Sequence, residues 1–227
     1  MLTSREIARL AQLRRSKKER AKSGHLAIFG IDEVRELGPR LDIVQIFATD
    51  KALLEGAPKA PHHLCPKDRW RQLSGLETER GIGMEVRFTP PAMGRPERLV
   101  VCDGISDPGN LGTIIRTARA FGYEGLICLE ETADPFGDKA LRASKGQALF
   151  MPVAKSFDFT GYTKIAADSR GGPLEKCIGP LACILGNEGR GIRPELLEGA
   201  KKVGITMQNG VESLNVAVAA AILLHAL

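Results

Sequence analysis

Three segments in the second half of the chain gather the residue types that polar chemistry needs. The first is Asp103-Gly104-Ile105-Ser106-Asp107-Pro108-Gly109-Asn110-Leu111-Gly112-Thr113-Ile114-Ile115-Arg116-Thr117-Ala118. Asn110 is a good helix N-cap, and Arg116 and Arg119, three residues apart, share one helix face. Free backbone donors and two guanidinium groups together suit a phosphate; an ordinary Gly/Asn turn with solvated arginines is the alternative. The glycines at 104, 109 and 112 fit neither GxGxxG nor a loop ending in Gly-Lys-Ser/Thr, which argues against a Walker-type NTPase and a Rossmann-type site. The second segment, Leu185-Gly186-Asn187-Glu188-Gly189-Arg190-Gly191-Ile192, has glycines that let a ligand lie against main chain. A simple turn explains those glycines but not the embedded Glu188 and Arg190. The third runs from Ile205 to Asn215 and leads into an Ala/Val/Leu-rich helix. Ser213 is a plausible N-cap, and Asn215, in the first turn of so apolar a helix, needs partners from backbone or ligand.

These segments need a scaffold, and the surrounding pattern supplies one. Downstream of a Pro/Gly-rich stretch at 89–96, which reads as a linker, strand-like apolar runs lie at 99–102, 126–129, 164–167, 181–185 and 203–205. Helical patterns at 111–121, 138–144, 194–198 and 214–226 fall between and after them. This alternation predicts an α/β fold with a parallel sheet, and each of the three segments follows a strand, where ligands bind in such sheets. Upstream, strands at 26–29, 43–48 and 84–88 and helices at 31–37 and 66–73 predict a separate small α/β domain. The expected domains are 1–92 and 97–227.

Composition limits the function classes. The chain is 227 residues long with 43% hydrophobic residues, enough for a packed core. The 5% aromatic residues and single tryptophan, Trp70, argue against a stacking platform for single strands. The net charge is +5, and residues 1–24 alone carry eight Lys/Arg against two Glu. A basic helix capped by Ser4 and running over 5–22 therefore presents either a phosphate-binding surface or a solvated charged face. Cys65, Cys102, Cys128, Cys177 and Cys183 form no CxxC pair and suit a reducing, cytoplasmic setting; Cys102, Cys128 and Cys183 lie in apolar runs as small hydrophobes. The four histidines lack metal-ligand spacing, so no metal is expected. No apolar leader is present, and the longest apolar stretch, 214–227, is 14 residues and too polar to span a bilayer. Neither export nor membrane insertion is expected.

Taken together, DGISDPGNLGTIIRTA, ILGNEGRGI and ITMQNGVESLNVAVAAAILLHAL resemble motifs one, two and three of the SpoU (TrmH) family of RNA 2′-O-ribose methyltransferases, in that order. The stretch from Lys139 to Gly146 is similar to the segment between motifs one and two. The likeness covers about residues 98–227 strongly and the N-terminal half loosely, chiefly at RRSKKER.

The resemblance implies a SPOUT domain with a C-terminal trefoil knot holding S-adenosyl-L-methionine (AdoMet), a homodimer with shared active sites, and an N-terminal domain that binds structured RNA, ribosomal before transfer RNA. Carried over by position, it makes Asn110, Arg116, Glu188, Ser213 and Asn215 catalytic. Leu185, Gly186, Asn187, Gly189, Ile205, Met207, Ser213 and Leu214 would hold the cofactor. RNA contacts fall to Arg14, Arg15, Lys17, Lys18, Arg20, Arg119 and Arg142. The family's assignment of Arg116 as base must contend with an arginine pKa of roughly 12.5 or above, which a neighbouring phosphate raises further. Thr206 replaces the usual proline of motif three and Asn209 the usual glycine; Phe29-Gly30 stands where Glu-Gly is common. Two other readings keep the fold and change the activity: a catalytically silent RNA-binding protein, and a SPOUT enzyme methylating a base.

Overall fold

In the computed structural model, which describes residues 1–78, 80–173 and 177–227, the chain divides into two units, Met1–Thr89 and Pro90–Leu227.

The first unit contains α1 (Ser4–Arg15), α2 (Lys17–Ser23), β1 (His25–Phe29), β2 (Asp42–Ala48), β3 (His62–Leu64), α3 (Lys67–Ser74) and β4 (Ile82–Arg87). The single basic helix expected over 5–22 is two. Thr3 rather than Ser4 caps α1 in a capping box, with the Glu6 carboxylate accepting the Thr3 N–H at 2.7 Å. Ser16 then leaves helical geometry (φ −117°, ψ 110°) and caps α2. Residues 33–37 form a wide π-helical turn instead of a regular helix. The sheet order is β1-β4-β2-β3, antiparallel except for β2 with β3. Leu10 and Leu13 of α1 and Trp70 and Leu73 of α3 close over Phe29 and Phe47 as one buried cluster. Strand β3 escapes a sequence reading because three residues carry no periodic signal.

Within this core sits a buried carboxylate. Glu85 on β4 takes two 2.6 Å hydrogen bonds from the Arg9 guanidinium of α1, one of 2.7 Å from Gln45, and stands 2.5 Å from His25 Nδ1. Burial alone would push the Glu85 pKa up, but these partners, Arg9 foremost, bring it down to about 2.

The second unit contains β5 (Arg98–Asp103), α4 (Pro108–Ala120), β6 (Gly125–Cys128), α5 (Asp138–Ala143), β7 (Val153–Ala154), β8 (Thr163–Gly172), β9 (Leu181–Gly186), α6 (Pro194–Leu197), β10 (Lys201–Val203) and α7 (Val216–Ala226). Its sheet runs β10-β8-β9-β5-β6-β7 with every pair parallel. Both faces are covered, so Leu99 to Asp103 of β5 are all buried. Helix α4 packs against α5 and α7. Leu99, Val101, Ile127, Ala182 and Ile184 meet Phe157, Phe159, Tyr162 and Leu196 in another cluster. Gly112 is required by the α4–α5 contact, since a Cβ there would stand 2.5 Å from the Ala140 carbonyl oxygen. Cys102 and Cys183 are fully buried, and burial pushes the Cys183 thiol up to about 12.

From β5 the chain builds outward through β6 and β7, then returns to add β8, β9 and β10 on the other side. The order reverses between β5 and β9, and the three polar segments leave the carboxyl ends of β5, β9 and β10 around that reversal.

Candidate active site

The first segment is positioned by an acid. Asp107, not Asn110, caps α4: its carboxylate accepts the Asn110 N–H at 2.8 Å and pairs with Lys139 at 2.7 Å. The anion at this helix N-terminus is thus the chain's own side chain. Relieved of capping, the Asn110 amide reaches outward. Its Nδ2 donates to Glu188 Oε1 at 2.6 Å, and its Oδ1 accepts from Asn215 Nδ2 at 3.1 Å. Asn215, rather than Ser213, caps α7, accepting the Ala217 and Val218 N–H groups at 2.9 and 3.4 Å. It is exposed, not buried as its apolar helix suggested, and its partners are backbone and Asn110. One residue from each segment therefore meets at a single point.

Arg116 lies about 9 Å further along the α4 axis, exposed and without a hydrogen bond or ion pair to any described residue. Arg119 is half-buried, with no partner for its Nε, and Arg142 pairs with Asp138. In the first unit Arg15, Lys17 and Lys18 are exposed. Arg20 is a correction: it is buried and donates to the Leu13 and Arg14 carbonyls at 2.8 and 3.1 Å, closing the end of α1. Arg14 is half-buried and bonds Leu73 O through Nε at 3.2 Å.

The second segment is tied to the first. Asp103, the buried last residue of β5, accepts the Arg193 N–H at 2.8 Å, Arg193 Nε at 2.6 Å and an Arg190 terminal nitrogen at 3.4 Å. Asn187 donates to Gly104 O at 2.7 Å while its Oδ1 accepts the Gly189 and Arg190 N–H groups. The glycines serve this loop's own closure: a Cβ at Gly186 would stand 2.5 Å from the Gly191 carbonyl carbon. The clamp holds Glu188 toward Asn110.

Beside this meeting point lies a cavity of about 370 Å³ at the carboxyl ends of β8, β9 and β10. Leu185, Gly186, Asn187, Ile205, Met207, Ser213 and Leu214 line it, together with Glu188 and Asn215. Gly189 does not. The sequence reading missed Asp168, Ser169, Val203 and Gly204, which also line it. The one signal for Asp168 was a carboxylate closing an apolar strand. Asn209 has φ 57°, a left-handed geometry that asparagine tolerates, so the substitution of the usual glycine keeps the turn. The cavity fits a nucleoside-sized cation: its volume is that of a small-molecule site, its walls are aliphatic and main-chain, and two carboxylates, Asp168 and Glu188, border it. Among the described residues no cluster of His, Cys, Asp or Glu could hold a metal ion, and no helix is long and apolar enough to cross a membrane.

A parallel α/β sheet with its pocket at the carboxyl side of β8, β9 and β10 is an α/β ligand-binding domain, and the solved structures it resembles make it one of the SPOUT type. The chain belongs to the SpoU rRNA methylase family, whose model matches residues 97–225. It is 30% identical over 225 residues to the 23S rRNA (guanosine(2553)-2′-O)-methyltransferase RlmP of Bacillus subtilis, covering 92% of this chain and 91% of that protein. Among solved structures, a TrmH-family RNA methyltransferase described from Porphyromonas gingivalis superposes with a TM-score of 0.83 at 29% identity, over 99% of this chain and 97% of that one. An AdoMet-bound rRNA methyltransferase from Sinorhizobium meliloti gives 0.78 at 26% identity, over 99% and 94%.

Proposed function

We propose that the second unit transfers a methyl group from AdoMet to a ribose 2′-hydroxyl of RNA, with ribosomal RNA favoured over transfer RNA, in the cytoplasm. The observation that carries this reading is the Asn110 amide bonded at once to Glu188 and Asn215 at the mouth of the cavity. The cofactor supplies a methyl carbon on a sulfonium, which is its own leaving group. The protein's task is then to align the ribose oxygen and manage its proton, and positioning of this kind contributes on the order of 7–11 kcal/mol in favourable systems. Asn110, its amide orientation fixed by Glu188 and Asn215, is assigned the ribose, and Ser213 lines the same cavity. Arg116 is assigned to the ribose and its phosphate as a cation, which its exposed, unpaired guanidinium supports. Leu185, Gly186, Ile205 and Leu214 supply main-chain groups and apolar wall for the adenosine.

The first unit is assigned the RNA. It carries seventeen Lys/Arg against twelve Asp/Glu, which accounts for the chain's whole net charge of +5. Exposed Arg15, Lys17 and Lys18 lie together at the α1–α2 junction. The active form is a homodimer through the second unit, a role supported by exposed Val218 and Ile222 one turn apart on α7 and exposed Phe121 beside them, stacked on His225. A C-terminal trefoil knot belongs to the same reading. Incubation with labelled AdoMet and separate ribosomal and transfer RNA, followed by nuclease digestion and nucleoside mass analysis, tests it. A 2′-O-methylnucleoside from ribosomal RNA is expected; a base-methylated product, or none, overturns it.

A further inference from the structure

The cavity wall contributed by β8 ends on a charged pair outside the three motif segments. Asp168 is 17% exposed at its side chain; its Oδ1 accepts the Arg170 N–H at 3.0 Å and Arg170 Nε at 3.4 Å, and Lys202 Nζ stands 3.6 Å from its Oδ2. The Arg170 N–H foremost holds the Asp168 carboxyl below its usual range. The Arg170 side chain is 87% exposed, so most of its guanidinium is open to a ligand. A second cavity, of about 480 Å³, opens beside the first and shares Ser169, Gly204, Ile205 and Met207 with it. Asp168 borders the first cavity and Arg170 the second. Opposite charges thus flank the junction.

We propose that Asp168 and Arg170 receive the amino-acid end of the cofactor, the carboxylate taking its α-ammonium and the guanidinium its α-carboxylate. The inference rests on the AdoMet reading above. A ribose diol would need only neutral or single-signed partners and would leave Arg170 unused. A zwitterion needs one group of each sign within a few ångströms, and charge-assisted bonds of this kind are the strong ones. Gly172, which lines the second cavity, has open space where a Cβ would stand, with nothing within 4 Å. The nucleoside then lies toward Leu214 and Ile205, and the amino acid crosses from the first cavity into the second.

Calorimetric titration of the full chain with S-adenosylhomocysteine and with 5′-methylthioadenosine separates the possibilities, because the second ligand keeps the nucleoside and sulfur but lacks the amino acid. Asp168→Ala and Arg170→Ala should each weaken S-adenosylhomocysteine about tenfold or more and leave methylthioadenosine within about twofold. Equal weakening of both ligands places Asp168 on the nucleoside or in the fold and overturns the proposal, as does no change in either. Arg170 is exposed, so its variant keeps the fold and its result stands even where Asp168→Ala unfolds. Failure of the unaltered chain to bind both ligands would instead sink the cofactor reading itself.

Discussion

Asn110 spends both ends of its amide on Glu188 and Asn215, so its orientation is set by residues 78 and 105 positions away. Arg116 on the same helix makes no such bond and is held only by its backbone. Arg116→Ala should therefore cut methyl transfer by about a hundredfold or more, a loss typical of removing a transition-state contact, while AdoMet affinity stays within a few-fold. Single-turnover assays paired with equilibrium binding read both quantities, and loss confined to binding refutes the assignment. Glu85 permits a second expectation. Its folded pKa of about 2 lies below the 4.5 of the free side chain, so its contribution is fully present above pH 4.5 and fades as pH falls toward 2. The amount is on the order of 3 kcal/mol. Denaturant unfolding of Glu85→Gln should accordingly show less acid sensitivity than the unaltered chain across that window.

Among the elements, the motif-two loop depends on β5. Asp103 is the only described residue that bonds both Arg190 and Arg193, and it does so from a fully buried position. Asp103→Asn removes the buried anion shared by the two guanidinium groups and leaves them only exposed partners, Glu131 at 2.5 Å from Arg190 and Glu130 at 3.7 Å from Arg193, a change worth about 2 kcal/mol after allowing for solvent screening. Catalysis should fall further than stability explains, because Glu188 is carried on that loop; a variant with unaltered kcat at a temperature where it is fully folded contradicts this. Helix α7 depends in turn on its cap. Asn215→Ala should cost about 1 kcal/mol through the lost N-cap and also release Asn110, whereas Asn215→Asp restores the cap but not the bond to Asn110. Comparing melting with activity for the two variants separates capping from catalysis.

For the whole molecule, the two units invite separate tests. Deleting the basic N-terminal helix is the wrong one, since Leu10 and Leu13 of α1 are core residues and the first unit would unfold with it. Replacing Arg15, Lys17 and Lys18 with Gln leaves that core intact. RNA affinity should drop at low salt, and the slope of log affinity against log salt should shrink by about 2 to 3. An unchanged slope assigns these residues to a merely solvated face. Val218→Glu combined with Ile222→Glu should convert a dimer to a monomer in sedimentation and lower activity with it.

Local pattern and composition determined much of this protein. Apolar runs separated by glycine-rich turns gave the parallel α/β architecture, three ordered motifs gave the family, and the cysteines of β5 and β9 read correctly as small hydrophobes. These are short-range signals, in which each residue type answers to its neighbours within a turn or a strand. Where the sequence reading failed, a distant partner decided. Three N-caps were misassigned because Ser, Thr, Asp and Asn compete for the same donors, and only the packed structure shows which one is free to turn elsewhere. Arg20 looked like a phosphate ligand and is a buried cap, because the break at Ser16 folds α2 back onto the end of α1. Asp168 was invisible as a site residue because its importance comes from lying on β8 between two strands that carry motifs. Strand order in a parallel sheet is a long-range property, and it is this order that sets Asn110, Glu188 and Asn215 within hydrogen-bonding distance.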